Sequence, residues 1–244
     1  MVSYPKFKKT LILSLTLFKR VIIVFLITTI LSVLSMRWVS PPTTSFMLQH
    51  NFSTWLNDKK NFKIRYQWVD LNKISIHAPI AVVAAEDQKF PVHWGFDRES
   101  IEEAWIERAN GIRVRGASTI SMQTARTVFL WPSRSLGRKI TEAYFTLLIE
   151  ALWSKERIME VYLNTVDWGP HVLGIEAASR NYYKRSSASL TRSQSALLAA
   201  VLPNPHKWSP VKPNAYVLQR KAKILRDMMK ISLPWKTQGR GSIR

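Results

Sequence analysis

The chain of 244 residues contains no cysteine. Without thiols it has no disulfide framework, no cysteine nucleophile and no cysteine metal site, so these kinds of site are excluded. Its five histidines show no metal-binding spacing such as H-E-x-x-H, and we expect structural or surface roles for them. The sequence has no internal repeat, and its length is enough for one sizeable hydrophobic core. We therefore expect one main domain with an appendage.

Acidic residues are scarce, with 16 Asp and Glu against 36 Lys and Arg, which gives a net charge of +20. The excess lies mostly at the two ends. Residues 1–40 carry six basic and no acidic residues, and residues 206–244 carry ten basic residues and one acidic residue. A basic flank attracts nucleic acid, an anionic membrane surface or a phosphorylated substrate, because all three carry dense negative charge. Charge alone leaves these three partners open.

Residues 21–36, VIIVFLITTILSVLSM, include no charged side chain. This run is shorter than the ~20 residues that span a bilayer, but flanking Lys19, Arg20 and Arg37 can reach the interface with their charged ends. Basic residues precede the run, so the positive-inside rule places the N-terminus in the cytoplasm and the following chain outside. The alternative is a cleaved signal peptide, but no A-x-A-like site follows the run. The sequence predicts a single membrane anchor, which disfavours nucleic acid as a partner.

Four segments follow from this interpretation. We expect a basic cytoplasmic N-terminus at 1–20, a transmembrane anchor at 21–38, the main domain at 39–231 and a basic tail at 232–244. Helical signals dominate the main domain. Asp97 is placed to cap the segment RESIEEAWIERAN, and Thr191 with Gln194 forms a capping box. The fold class expected is mainly α.

The first stretch that could hold catalytic residues is AAEDQKFPVHWGFD, residues 84–97. Glu86 and Asp87 directly follow an apolar run, and a carboxylate among apolar groups is costly to ionise, so its pKa rises. A carboxyl group with a raised pKa can accept and return a proton, which makes Glu86 a candidate catalytic residue. The ordinary alternative is a surface carboxylate at a solvated helix end.

A second stretch, GASTISMQTAR at residues 116–126, combines a flexible glycine with hydroxyl groups and a glutamine. Ser118, Thr119 and Gln123 can donate hydrogen bonds to phosphate or sugar oxygens. Clusters of Ser and Thr also mark ordinary loops and helix caps, so this stretch alone is weak evidence for a binding site.

Residues 134–142, RSLGRKITE, place Arg134, Arg138 and Glu142 on one face if the stretch is helical. Either a binding site or a solvated stripe of salt bridges would give this pattern. A further stretch at residues 162–183, YLNTVDWGPHVLGIEAASRNYY, is interpreted as a packed helix, a turn and a second helix.

The C-terminal part of the chain carries a run of basic residues that we interpret as a solvated helix face without a catalytic role. These residues are Arg220, Lys221, Lys223, Arg226 and Lys230.

Together these stretches resemble the motifs of the peptidoglycan glycosyltransferases, in particular those of the monofunctional, membrane-anchored type of Gram-negative bacteria. The matching segments, in the family's order, are EDQKFPVHWGFD, GASTISMQ, RKITE and SKERIMEVYLNTVDWG. The resemblance covers roughly residues 39–230. It implies a mainly α, two-lobed, lysozyme-like glycosyltransferase domain with an elongated cleft, preceded by one transmembrane helix.

The resemblance also implies a reaction. Enzymes of this family polymerise a lipid-linked disaccharide-peptide, lipid II, into linear glycan strands by inverting glycosyl transfer with release of polyprenyl pyrophosphate. The role of general base on the acceptor 4-hydroxyl would belong to Glu86. Glu142 would act near the departing pyrophosphate, where the family allows a divalent cation, Mg²⁺ or Mn²⁺, at this residue. No organic cofactor is expected.

The same resemblance implies the substrate-binding residues and the partners. The expected substrate-binding residues are Asp87, Ser118, Thr119, Gln123, Arg126, Arg134, Arg138 and Lys139. Expected partners are lipid II, the growing glycan chain, the inner membrane, transpeptidases, and division or elongation proteins, but not nucleic acid. The catalytic domain would lie in the periplasm, on a single-pass protein of the bacterial inner membrane.

Several positions depart from the family pattern, namely Met122, Arg126, Thr127 and Thr141. An Arg in place of a Lys keeps the charge but changes the geometry of the donor groups, so these departures concern the positioning of the substrate. Two other functions remain open: a lysozyme-like hydrolase, which would use water as the acceptor, and a catalytically inactive cell-wall scaffold.

Overall fold

The computed structural model of the chain describes residues 4–41, 43–45, 47–48, 64–111, 116–131, 133 and 135–235. The predicted site residue Arg134 lies outside the described residues, as do the first three residues and the last nine. The chain divides into two units, Met1–Val39 and Ser40–Arg244.

The first unit is built on a single long helix, α1, at Tyr4–Ser35. Its segment Ile12–Ser35 has 24 residues and is long and apolar enough to cross a membrane. Apolar side chains between Ile12 and Leu31 are largely exposed. The hydroxyls of Thr16, Thr28 and Thr29 donate back to carbonyls four residues earlier, so these polar groups are satisfied within the helix. The helix is compatible with the predicted membrane anchor, although the apolar segment begins upstream of residue 21.

The second unit is mainly helical, which confirms the predicted fold class. Its helices are α2 (His77–Glu86), α3 (Arg98–Ala109), α4 (Ile120–Phe129), α5 (Leu136–Leu152), α6 (Lys155–Thr165), α7 (Ile175–Tyr183), α8 (Arg192–Val201) and α9 (Ala215–Asp227). Short 3-10 turns lie at Leu71–Lys73 and Ser187–Ser189.

Many of these helices begin at a polar side chain that accepts a hydrogen bond from the first turn, where backbone N–H groups otherwise lack partners. Asp97 caps α3 and Thr191 with Gln194 forms a capping box at α8, so both predicted caps are confirmed. The other side-chain caps are Thr119 of α4, Ser135 of α5, Ser154 of α6 and Asn214 of α9.

A small three-stranded sheet interrupts the predicted helix–turn–helix of residues 162–183. Strand β2 (Asp167–Gly169) is antiparallel to β3 (Val172–Leu173), which also pairs in parallel with β1 (Arg65–Tyr66). The connection between α6 and α7 is therefore a β-hairpin. The Asn164 amide, at the end of α6, joins this region to the preceding chain, because it bonds both the N–H and the carbonyl of Val69.

One group of helices, α2, α8 and α9, packs around a core of small residues. Ala81 and Ala84 of α2 meet Ala196, Ala199 and Ala200 of α8, and larger side chains of α9 complete the cluster. Small side chains allow two helix backbones to approach closely, which holds the C-terminal end of α2 firmly against α8 and α9.

A second group of helices, α4, α5 and α6, packs separately, with α4 between the other two. Its buried side chains include Ile120, Phe145, Ile149 and Ile158. The ring of Phe129 stacks on Phe145 at a centroid distance of 4.4 Å. Both groups lie within one compact unit, Ser40–Arg244, so the predicted division into two lobes stays a prediction. The predicted likeness to lysozyme and the predicted domain boundaries stay predictions.

Candidate active site

Glu86 is the last residue of α2 and opens into a cavity of about 850 Å³. The wall of this cavity comes from the end of α2, the loop that follows it, α3, the start of α4, and α9. The lining residues include four predicted site residues besides Glu86, namely Asp87, Ser118, Thr119 and Gln123. The structure therefore brings the first two sequence stretches together around one carboxylate.

The Glu86 side chain is only 15% exposed and has two close partners. The side-chain amide of Gln123 donates to its Oε2 at 3.2 Å, and Nη2 of Arg220 lies 3.6 Å from Oε1. The Gln123 amide oxygen in turn accepts from the hydroxyl of the buried Tyr162 at 3.2 Å. This second bond orients the amide so that its NH₂ group faces Glu86.

Burial raises the pKa of Glu86 above that of an ordinary carboxyl group, because the charged form loses water. The Gln123 hydrogen bond and the positive charges of Arg220 and Arg126 lower this pKa in part, whereas the negative charge of Asp87 raises it further. A carboxylate with a raised pKa in an accessible cavity can accept a proton from a bound hydroxyl group. These features suit a general base.

Asp87 is buried, and both of its carboxylate oxygens have protein partners. Oδ2 accepts from the backbone N–H of Ile120 at 2.9 Å, and His93 Nε2 lies 2.9 Å from the same oxygen. Nδ1 of His93 accepts from the N–H of Gly95, so the ring carries its proton on Nε2 and donates it to Asp87. Asp87 thereby fastens the end of α2 to the start of α4.

The loop after Glu86 also packs closely onto the second helix group. Thr119 caps α4 and donates its hydroxyl to the carbonyl of Gly95 at 2.6 Å. Gly95 has a φ of +78°, and a Cβ there would lie 2.8 Å from a methyl carbon of Thr146 on α5. Only glycine combines this backbone conformation with this approach. The loop therefore ties α2, α4 and α5 together near the cavity.

Glu142 forms a different cluster, on the N-terminal half of α5. Its carboxylate is fully buried and accepts from Arg138 Nη1 at 2.9 Å and from Lys139 Nζ at 3.0 Å. Lys139 is about half exposed, at 49% of its side chain, whereas Arg138 is 12% exposed. None of these residues lines the Glu86 cavity. The solvated stripe of salt bridges, one of the two alternatives left open by the sequence, is thus wrong, because the carboxylate is buried and holds two cations.

The Glu142 cluster does not fit a metal site held by the protein. The single carboxylate already has two cationic partners, and a hard divalent cation needs several oxygen ligands. Across the described residues, no group of three or more His, Cys, Asp or Glu side chains could hold a metal ion.

Arg220 corrects one interpretation made from the sequence. The sequence predicts a solvated helix face for this residue, and that prediction is wrong. The Arg220 side chain is 20% exposed, lines the cavity and approaches Glu86. Lys223 and Arg226 of α9 line the same cavity. Positions 216, 219, 220, 223 and 227 recur at helical intervals and therefore share one face, but spacing alone does not tell whether that face meets solvent or a cavity. Tyr162 was also missed as a site residue.

Comparison with known proteins agrees with the geometry. The family model described as "Transglycosylase" matches residues 54–229. The biosynthetic peptidoglycan transglycosylase of Pseudomonas fluorescens is 45% identical over 207 residues, which is 85% of this chain and 86% of that protein. The protein of the same name from Ectopseudomonas mendocina is 46% identical over 201 residues, or 82% and 83% of the two chains. The chain therefore belongs to the transglycosylase family, the peptidoglycan glycosyltransferases of cell-wall synthesis.

Proposed function

We propose that this protein polymerises lipid II into linear glycan strands, with inversion at the anomeric carbon and release of polyprenyl pyrophosphate. The observation that carries the proposal is the buried Glu86 carboxylate, which lies in an accessible cavity between a hydrogen-bond donor from α4 and a cation from α9. Family membership supports the reaction class.

In the proposed step, Glu86 accepts the proton of the acceptor 4-hydroxyl while that oxygen attacks the anomeric carbon of the donor. The bond from the anomeric carbon to the pyrophosphate oxygen breaks, and its electron pair leaves with the pyrophosphate. A single displacement inverts the configuration. Proton removal by a positioned base contributes about 10²- to 10⁴-fold to the rate.

We place the departing pyrophosphate at the N-terminal end of α5. The unpaired N–H groups and dipole of a helix N-terminus favour anions, and the cluster of Arg138, Lys139 and Glu142 carries one net positive charge. In this proposal Glu142 positions the two cations, because a carboxylate in direct contact with pyrophosphate would be repelled. Arg134 precedes this helix and would add a further cation.

A divalent cation remains a separate proposal. If Mg²⁺ or Mn²⁺ takes part, we expect it to arrive on the substrate pyrophosphate, because both Glu142 oxygens already have cationic partners. Calorimetric titration of either ion into the substrate-free protein should then give no binding that Glu142→Gln abolishes. Stoichiometric binding that depends on Glu142 would contradict this assignment.

Membrane anchoring fits a lipid-linked substrate. A substrate on a polyprenyl tail is confined to the bilayer surface, so an enzyme anchored there searches in two dimensions. We propose an inner-membrane protein with its second unit in the periplasm, working beside transpeptidases and division or elongation proteins that process the same strands.

The experiment supplies purified full-length protein with radiolabelled lipid II in detergent and separates the products. We expect glycan polymer and polyprenyl pyrophosphate to appear together, and no extension of lipid II whose acceptor 4-hydroxyl is blocked. Cleavage of preformed glycan without polymer would indicate a hydrolase, and the absence of any product from folded protein would favour a scaffold.

A further inference from the structure

Arg220 is held in place from two sides at the edge of the cavity. Its Nε donates to the backbone carbonyl of Ala200, near the C-terminal end of α8, at 3.2 Å. Its Nη2 lies 3.6 Å from Oε1 of Glu86. The side chain thus links α9 to both α8 and α2, and its planar guanidinium makes the two contacts with different nitrogens.

We propose that Arg220 is a positioning residue for the reaction, which acts through Glu86 by holding the carboxylate in its ionised form, aimed into the cavity. This inference rests on the proposed function, in which Glu86 is the general base. It assigns to α9 a role that the composition of that helix, rich in exposed cations, does not reveal.

Each element packed against Glu86 contributes neighbours that affect the charge of its carboxylate. The adjacent Asp87 carries a like charge, and α4 contributes Arg126 and the neutral donor Gln123. From α6 comes the buried Tyr162, which stays neutral because burial raises the pKa of its hydroxyl well above the usual value. The α8 helix contributes a backbone group here, the Ala200 carbonyl, which accepts a hydrogen bond from Arg220. Among these groups Arg220 forms the ion pair with Glu86.

An arginine suits this position better than a lysine would. The guanidinium can donate from Nε to Ala200 while Nη2 faces Glu86, whereas an ammonium group offers a single nitrogen for both partners. Lysine would keep the charge and lose the geometry. We therefore expect Arg220→Lys to fall between the wild type and a neutral variant.

The test compares the pH dependence of kcat/KM for lipid II polymerisation in the wild type, Arg220→Met, Arg220→Lys and Glu86→Gln. The matched control is Lys221→Met, which removes one positive charge from the same turn of α9 at a residue that does not line the cavity. Removing the positive charge beside a carboxylate raises its pKa. The acidic limb of the pH profile, where kcat/KM falls as Glu86 takes up a proton, should therefore move to higher pH in Arg220→Met by about one unit. At a pH below the limb, kcat/KM should fall about tenfold, with recovery toward the wild-type value at high pH.

Arg220→Lys should shift the limb less than Arg220→Met, and Lys221→Met should leave it in place. Because Arg220→Met also loses the bond to Ala200, its folding is checked by thermal denaturation. Arg220→Lys and the ¹³C titration of the Glu86 carboxyl, compared between the substrate-free wild type and Arg220→Lys, provide independent readouts. The pKa of Glu86 should be higher in Arg220→Lys, because the ammonium group does not keep the geometry of the ion pair.

An unmoved acidic limb in folded Arg220 variants would overturn the inference, and so would a rise in KM alone, which would mean that Arg220 binds the substrate directly. An identical Glu86 pKa in the wild type and in Arg220→Lys would also count against it. Full activity of Glu86→Gln would instead overturn the proposed base.

Discussion

Glu86 lies at the C-terminal end of α2, where the partial negative charge of a helix end disfavours a further negative charge. Burial acts in the same direction, and the Gln123 hydrogen bond and the Arg220 charge, both from other helices, counteract both effects. The residue is therefore a carboxylate whose proton affinity is set by neighbours far apart in sequence. The sequence indicated the candidate through the apolar run before it, but its partners Gln123 and Arg220 could be identified only from the fold.

The raised pKa of Glu86 leads to a prediction about pH. A general base acts only when ionised, so polymerisation should be present above the Glu86 pKa and lost as the pH falls through it. We expect the acidic limb of kcat/KM to lie above the range of an exposed glutamate. The measurement is a pH series in a buffer of constant ionic strength. A limb at or below the pKa of an exposed carboxyl would contradict the assignment.

Asp87→Ala should destabilise the protein by about 2–3 kcal/mol, because it leaves the buried N–H of Ile120 and the His93 ring without their carboxylate partner. Activity should fall with stability, since the same bond holds the start of α4 beside Glu86. Urea denaturation in detergent, followed by tryptophan fluorescence, measures the change in the free energy of unfolding.

The control for Asp87 is Asp70→Ala, which removes an exposed aspartate paired with Lys73 and should change stability by less than about 0.5 kcal/mol. Equal effects of the two substitutions would show that Asp87 does not fasten α2 to α4.

At the scale of elements, the buried Glu142 carboxylate holds the cations Arg138 and Lys139 near the N-terminal end of α5. Glu142→Gln would leave the nearly buried Arg138 without a counter-charge. We expect a loss of stability of about 3–5 kcal/mol, the range for a broken buried ion pair, and a drop in polymerisation of at least tenfold. Inhibition by inorganic pyrophosphate should also weaken.

The comparison for Glu142 is Glu156→Gln, an exposed residue in the first turn of α6. It should lose at most about 1 kcal/mol of stability, the contribution of an acid in the first turn of a helix, and should keep the wild-type inhibition by pyrophosphate. Unchanged inhibition in folded Glu142→Gln protein would place the pyrophosphate elsewhere.

Helix starts that depend on residues within one turn could be predicted from the sequence. Elements that depend on residues far away in the sequence could not. Asp97 and Thr191 mark helix starts by hydrogen bonds within one turn, so the sequence alone was sufficient. The hairpin after α6 was missed because β3 also pairs with Arg65–Tyr66, about 100 residues earlier. The role of α9 was missed for a similar reason, since a basic helix face looks the same toward solvent as toward a cavity.

At the scale of the whole molecule, a helix compatible with a membrane anchor precedes a helical unit that holds the candidate site. A variant without residues 1–39 should leave the membrane fraction after an alkaline carbonate wash, whereas the full chain should stay. A high-salt wash, which removes proteins held by charge alone, is the control. Release of the full chain by salt would contradict a membrane-spanning segment.

The absence of cysteine makes the predicted orientation easy to test, because a single introduced thiol is unique. A membrane-impermeant maleimide should label Ser40→Cys from outside the inner membrane in spheroplasts, and Ser3→Cys only after lysis. The opposite pattern would place the second unit in the cytoplasm, away from the proposed reaction.

The most direct test of Glu86 as the general base is the initial rate of lipid II polymerisation by Glu86→Gln protein. The amide keeps the size of the side chain but cannot accept the proton of the acceptor hydroxyl. The matched control is Glu102→Gln, an exposed residue of α3 outside the cavity lining. We predict that Glu86→Gln is folded and at least about 10²-fold slower, and that Glu102→Gln keeps the wild-type rate. A folded Glu86→Gln protein that polymerises at the wild-type rate would contradict the account.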